Sequence, residues 1–464
     1  MKRGESAAES LSAAGTMSEG LAAFVEGASY EDLSRAARQT LKIRVLDALG
    51  CAVGALGAEP VRMLREHVSE FGGSPLCTLI GGGKTSPDRA ALYNGALVRY
   101  LDFNDSYLAP GETCHPSDNL GAVLAAAEYA NASGREFLAA LAVAYQVQCR
   151  LSDVAPVRSR GFDHVTQGAF AVSAGVAKAL RLPSPQIVSA LGISGTANNA
   201  LRVTRTGELS HWKGLAYPNT GFAGLHAAFL AMRGITGPRE VFEGTKGWMQ
   251  AVAGEFAIDW SDEDLERVTR TILKKYNAEI HSQSAIEAIV DLKREHGFQG
   301  SQVDRIRIDV FEVAHLIIGG GAEGDKTVVR TKEEADHSLP YLAAVAAIDG
   351  QVMPEQFAPE RIRREDVQSL LRAVTVVPDP EYSKRFPAEH ACLVTVTLRD
   401  GTIFRKEKRD YEGFATRPMT WERAAEKFDV LAAPVIEDGR RDAIRDAVDR
   451  LDRISVADLV RLLE

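Results

Sequence analysis

The sequence predicts a mainly α protein made of a large all-helical domain and a smaller α+β domain. Three observations carry this. Ala-rich apolar segments with helical spacing run from about Leu21 to Trp260; an alternating apolar pattern replaces them after about residue 270; amphipathic helical spacing then returns near the C-terminus. At 464 residues the chain exceeds the usual size of one hydrophobic core, so two domains are expected.

Residues 1–20 are rich in Ser, Ala, Gly and Glu without a strong apolar period and are expected to form a mobile tail. Arg44 to Leu49 open an apolar helical stretch. Ser133-Gly134-Arg135-Glu136 is a capping box, in which the serine and glutamate satisfy free N–H groups, ahead of a helix over 137–150. Phe137, Leu138, Leu141, Ala142 and Tyr145 fall on one face of it. Further helices are expected at about 165–180, 184–193 and 221–233, the second opened by Pro183-Ser184-Pro185. Val303, Ile306, Ile308 and Val310 read as a strand. Leu393 to Leu398, Asp400-Gly401 and Thr402 to Phe404 read as a hairpin with a tight turn. Helices are expected again over 421–431, 441–451 and 456–463, and this last segment can rejoin the first domain, which would make that domain discontinuous. The expected division is 21–270 with 406–464 for the helical domain and 271–405 for the α+β domain.

Composition excludes several functions. A net charge of -9 lacks the basic footprint that nucleic acid or an anionic membrane requires. No run of about 18 apolar residues and no basic start with an apolar segment appears, so a cytoplasmic protein is expected. The five cysteines are scattered without a Cys-x-x-Cys pair, which removes the usual zinc and iron–sulfur spacings and suggests reduced thiols. Walker, dinucleotide-binding, HExxH, EF-hand and nucleophile-elbow patterns are absent.

Candidate chemistry lies in five segments. Leu101-Asp102-Phe103-Asn104-Asp105 and His115-Pro116-Ser117 place two carboxylates and an imidazole just before a helix, the grouping that proton transfer at carbon needs. Turn and N-cap roles compete for the same residues. Gly161 to Gly168 put His164 in a loop opening an Ala-rich helix, where an anion or a capping turn would equally fit. Ser194-Gly195-Thr196 followed by Arg202, Arg205, His211 and Lys213 is the best local source of positive potential, making Ser194, Thr196, Arg202 and Lys213 candidate ligands for an acidic substrate; a solvated basic loop is the alternative. Tyr276 to Gln283 bring His281 to the opening of the second domain, and Ala335 to Tyr341 open a helix within it; Tyr341 is equally readable as a core tyrosine with a satisfied hydroxyl.

Taken in order, RVLDALG at 44–50, Asn94-Gly95 with LDFND at 101–105, His115-Pro116-Ser117, Gly161 to His164, Trp212-Lys213-Gly214, Ile280-His281-Ser282-Gln283 and ADHSLPY at 335–341 resemble the MmgE/PrpD family. That family contains 2-methylcitrate dehydratases, cis-aconitate decarboxylases and iminodisuccinate epimerases. The resemblance implies a helical domain built from N- and C-terminal parts, a smaller lid, an active site between them and a homodimer. It also implies a small carboxylic acid as substrate, no metal and no organic cofactor. Matching positions make Asp102, His115, His164, Lys213, His281 and Tyr341 the implied site residues. The family loop reads DFDD, and Asn104 stands in place of one carboxylate, so position 104 is given no proton-transfer role. Trp-Lys-Gly and Ile-His-Ser-Gln look more like the dehydratase branch. On this reading His115 or His164 removes a proton next to a carboxylate, Asp102 orients the imidazole, Arg202 and Lys213 stabilise the enolate, and Tyr341 or His281 protonates the leaving hydroxyl.

Overall fold

The computed structural model describes residues 15–464, and the chain is mainly α, as the sequence predicts. The first helix, Met17–Gly27, starts inside the segment expected to be a tail. Thr16 and Glu19 form a capping box at its start, and Leu21, Ala22 and Val25 are buried, so local capping and burial override the weak apolar period of this stretch. Residues 1–14 of the expected tail lie outside the described residues.

One large apolar core runs from Leu21 to Val268 and takes in Phe428, Leu431, Ile444, Leu451 and Leu463 from the C-terminal helices. A second core spans Tyr276 to Leu398. The helix behind the Ser133 capping box covers Gly134–Val154, and Val165–Ala179 and Ser184–Ala197 follow it. The helix expected at 221–233 instead covers Trp212–Met232 with Pro218 in its interior. Proline usually ends a helix because it lacks an N–H and crowds the preceding turn; here Pro218 packs against Gly95, its atoms at an ordinary contact distance of 3.5 Å from where a Cβ would sit. Gly121 approaches the same spot, a Cβ there falling 2.7 Å from the Gly95 Cα. The helices Pro87–Tyr100, Leu120–Tyr129 and Trp212–Met232 therefore meet at Asn94-Gly95. This crossing fixes Arg99 and Lys213 relative to one another.

The second core is built on a sheet ordered Val374–Pro378, Val303–Val310, Cys392–Leu398, Ile403–Lys408. The first pair is parallel and the others antiparallel, with Ile308 opposite Val376 on one side and Val394 on the other. The turn at Asp400-Gly401 uses Gly401 at a φ of 88°, where a side chain would be strained. The helices Gln283–His296 and Leu339–Asp349 complete this core.

Two chain segments join the cores. Ile272 pairs with Ser106 through backbone bonds of 2.8 and 2.9 Å, and the Leu273 N–H donates to the Gly413 carbonyl at 3.0 Å on the return. Lys427, from the Trp421–Ala432 helix, braces the junction by donating to the carbonyls of Phe103 and Lys274 at 2.7 and 3.0 Å while pairing with Asp47 at 2.7 Å. Among the described residues no helix is long and apolar enough to cross a membrane.

The C-terminal segment returns onto the capping box, with the Gly134 N–H donating to the Ile454 carbonyl at 2.8 Å. A Cβ on Gly134 would run into the Leu451 carbonyl. Gly134→Ala is therefore expected to cost about 1–3 kcal/mol, as overpacking typically does, and to lower the melting temperature measured by calorimetry; an unchanged melting temperature would contradict this docking.

Candidate active site

The site forms where the helix Pro87–Tyr100 ends and the chain turns through Asp102. Asp102 adopts a φ of 56°, an uncommon conformation for a residue with a side chain, and its N–H closes the turn onto the Arg99 carbonyl at 3.0 Å. Its carboxylate accepts from Arg99 at 2.6 Å and Lys274 at 2.7 Å through Oδ1, while Oδ2 lies 3.2 Å from Lys213 Nζ and 3.6 Å from His337 Nδ1. Asp336 mirrors it from the second core, 2.5 Å from Lys213, 2.6 Å from Lys332 and 2.7 Å from His337 Nδ1. Lys332 also donates to the Tyr100 carbonyl at 2.5 Å, tying the two cores together.

All of these groups are buried or nearly so, and Lys274 is 0% exposed. The charges do not balance: Arg99, Lys213, Lys274 and Lys332 face Asp102 and Asp336. The next carboxyl, Asp118, lies 3.5 Å from Arg99 Nε, yet burial raises its pKa to about 7. Four cations against two firmly ionised carboxylates, with Asp118 and Glu279 only partly charged near neutral pH, leave a net positive charge in a low-dielectric interior, where an anion would be held strongly. Burial lowers the Lys213 pKa although Asp336 and Asp102 raise it, and Lys332 and Arg99 add a smaller lowering.

Two imidazoles stand beside this cluster, their ring centroids 5.4 Å apart. His115 Nδ1 donates to the Asp105 carbonyl at 2.8 Å, with the Ser106 hydroxyl 3.1 Å away. His164 Nδ1 lies 3.2 Å from Asp163 Oδ1, and its buried Nε2 has no partner among the described residues. The Asp105 carbonyl fixes the His115 proton on Nδ1 and leaves Nε2 as a free base, and the Asp163 charge beside His164 Nδ1 favours the same tautomer there. Burial lowers both pKa values, that of His164 to about 3, so both rings are neutral near pH 7. Asp163 is kept ionised by Arg205 at 3.0 Å and Arg202 at 3.4 Å, which hold its carboxyl far below the usual range despite complete burial.

The sequence-predicted residues divide clearly. Asp102, His115, His164 and Lys213 come together, and Arg202 stands behind them on Asp163. His281 is buried from the second core, with neither ring nitrogen bonded among the described residues and Nε2 3.9 Å from Glu279. Tyr341 is not brought to the site: its hydroxyl donates to the Gln356 carbonyl inside the second core, the fate usual for a buried tyrosine. Ser194 donates to the Ala169 carbonyl at 2.7 Å between packed helices, and exposed Thr196 bonds back to the Gly192 carbonyl at 2.8 Å, so neither hydroxyl bonds to a residue of the cluster. Asp102 does not orient an imidazole of the His115–His164 pair, since the Asp105 carbonyl and Asp163 hold those rings. Asn104 bridges Ser117 and Asp118 at 2.8 Å each.

Sequence reasoning missed Arg99, Lys274, Asp336, His337 and Asp163 as members of the cluster. Arg99 stands three residues before Asp102, a spacing that pairs side chains across a helical turn. Asp163, Asp336 and His337 lay inside quoted motifs. Lys274, 172 residues from its partner, gave no local signal. Asp102, Asp336 and His337 also bring ligand atoms within 4.8 Å of one another, close enough to hold a metal ion. Both carboxylates are already occupied by ammonium and guanidinium groups, so a divalent cation would have to displace them and deepen the positive excess; the donor set does not fit one. The cysteines are all buried, and burial pushes the Cys77 and Cys392 thiols up to about 12, which makes them poor nucleophiles and ligands.

Fold and site thus define a two-core, mainly α protein with a cation-rich, buried centre at the junction. The chain belongs to the MmgE/PrpD family: the family's N-terminal domain matches residues 19–261 and its C-terminal domain residues 276–453. It is 27% identical over 414 residues to a protein of Salmonella typhimurium named 2-methylcitrate dehydratase, covering 82% of this chain and 83% of that one. It is 24% identical over 479 residues to one of Mus musculus named cis-aconitate decarboxylase, covering 97% and 93%. A fungal protein named alkylcitrate dehydratase phiI is 27% identical over 462 residues, with 91% and 88% covered.

Keeping His164 neutral has a cost in acid. Its unfolded pKa is near 6.5 and its folded value about 3, so between those values the unfolded chain binds the extra proton and stability falls as pH drops. Relative to His164→Gln, which lacks this proton, the wild type should lose about 2 kcal/mol between pH 7.5 and pH 5. Urea unfolding of both proteins at the two pH values checks this; an unchanged difference would mean that the fold does not lower the His164 pKa.

Proposed function

We propose that this chain is a cofactor-independent hydro-lyase that dehydrates a 2-methylcitrate-like hydroxy tri- or dicarboxylic acid. The observation that carries this reading is the pairing of two neutral imidazoles, each with a free Nε2, with a buried excess of cations around Asp102. A carbon acid next to a carboxylate needs both. The base must be unprotonated, and the enolate-like dianion that forms must be held by charges already in place.

In this reading Nε2 of His164 or His115 takes the proton from the carbon beside a substrate carboxylate. The C–H electrons form the alkene as the bond to the hydroxyl on the neighbouring carbon breaks, and that oxygen leaves as water with a proton from the Lys213 ammonium. Burial lowers the Lys213 pKa and so makes it a better acid, while Asp102 and Asp336 hold it in place. Arg99 and Lys274 supply fixed positive charge. The imidazolium then passes its proton, directly or through water, to the Lys213 amine, which restores both groups and completes the cycle. The dehydratase names of two of the three relatives described above support dehydration as the outcome.

The test is an assay of the chelator-treated protein with 2-methylcitrate, citrate, cis-aconitate and malate-like acids, with products identified by NMR in deuterated water. Alkene formation without added metal is expected, and His164→Gln should lower kcat by about 10²–10⁴-fold, the usual weight of a general base. Release of carbon dioxide and a shorter acid from cis-aconitate would replace dehydration by decarboxylation. Exchange of deuterium with only a change of handedness would replace it by epimerisation.

A further inference from the structure

One buried cation near the junction takes no part in the scheme above. Lys326 lies on the strap between the helices Glu312–Ile318 and Lys332–Ala335. The strap is held at both sides: Glu323 pairs with Arg202 of the larger core at 2.5 Å, and the Lys326 carbonyl accepts from the Ser338 hydroxyl at 2.5 Å, one residue beyond His337. Gly320 and Gly324, at φ values of 97° and 105°, give the backbone the left-handed turns this path needs.

Lys326 is 6% exposed, yet its ammonium makes no hydrogen bond or ion pair among the described residues. The carboxylates whose charge reaches it are Glu323, Glu279 and Asp336, with Arg202 opposing. Glu323 is spent on Arg202, and Asp336 on Lys213, Lys332 and His337. Burial raises the Glu279 pKa to about 7, so its charge is partial, and its Oε2 already accepts from the His281 N–H at 2.7 Å. Most of the Lys326 side chain is withdrawn from water while its ammonium keeps solvent contact and no protein partner, so an anion arriving there gains a charge-assisted bond.

We propose that Lys326 binds a substrate carboxylate remote from the reacting carbon, so that the site selects acids with three carboxylates over those with two. This rests on the proposed carboxylic-acid chemistry and adds to it a recognition element from the strap. Arg202 and Glu323, which pin the strap next to Asp163, set where that carboxylate is met. Lys326 touches substrate without taking part in proton transfer, so its removal is felt in binding and KM more than in kcat.

The test is calorimetric binding of two unreactive probes, propane-1,2,3-tricarboxylate and glutarate, to wild type, Lys326→Met and Lys326→Arg at constant ionic strength. The wild type should prefer the tricarboxylate. Lys326→Met should weaken tricarboxylate binding by roughly 10–100-fold, the usual size of a lost charge-assisted bond, and leave glutarate unchanged, while Lys326→Arg restores most of the preference. Equal weakening for both probes would mark a structural role and overturn the inference, as would a wild type without preference. Because the probes do not react, these outcomes stand whether or not the turnover assay yields an alkene, so the failure of the two readings can be told apart.

Discussion

Asp102 accepts from Arg99 and Lys274 through one oxygen and faces Lys213 and His337 through the other, so four separate stretches of chain converge on one carboxylate. Arg99 ends the helix that crosses at Gly95, Lys213 begins the helix that carries Pro218 past the same glycine, Lys274 lies on the segment joining the cores, and His337 belongs to the second core. Removing the carboxylate would leave three buried cations facing each other. A buried ion group of this kind adds little net stability over an apolar core, but breaking it is expensive, and that asymmetry fixes how the cores sit together.

The same arrangement accounts for the state of the histidines. Burial and the surrounding cations disfavour a further positive charge on His115, His164 and His337, which keeps the rings neutral, while the Asp105 carbonyl and Asp163 choose the tautomer that exposes Nε2. Burial thus holds the bases unprotonated, the fixed cations add to that effect, and the same cations prepare the field in which a carboxylate-stabilised carbanion is tolerable. Asp163 shows the compensation at close range, since Arg202 and Arg205 keep it charged and able to hold the ring.

Much of this was legible in the sequence where periodicity or capping spoke locally. The Ser133–Glu136 box, the strand at Val303–Val310 and the hairpin around Gly401 formed where expected. The start of the helix through Pro218 was not legible, because a proline ordinarily ends a helix and only the tertiary fold keeps this one continuous. Within the site, residue type and family resemblance singled out Asp102, His115, His164 and Lys213, which the fold brings together. Tyr341, Ser194 and Thr196 bond instead to carbonyls of their own surroundings, because which carbonyl lies nearest a hydroxyl is decided by packing. Lys274 and Asp336 were missed for the converse reason: an ordinary charged residue becomes part of a site only through a partner distant in sequence.

An unbalanced, buried set of cations is stable in the fold but unfinished electrostatically, and a polycarboxylate would complete it. The most direct measurement is the melting temperature of the wild-type protein in rising citrate, against acetate and chloride at equal ionic strength. Binding to the native state alone raises stability by mass action, so citrate should raise the melting temperature progressively while acetate and chloride leave it near its starting value. Equal responses to all three anions would contradict the claim that the cations around Asp102 form a polycarboxylate site.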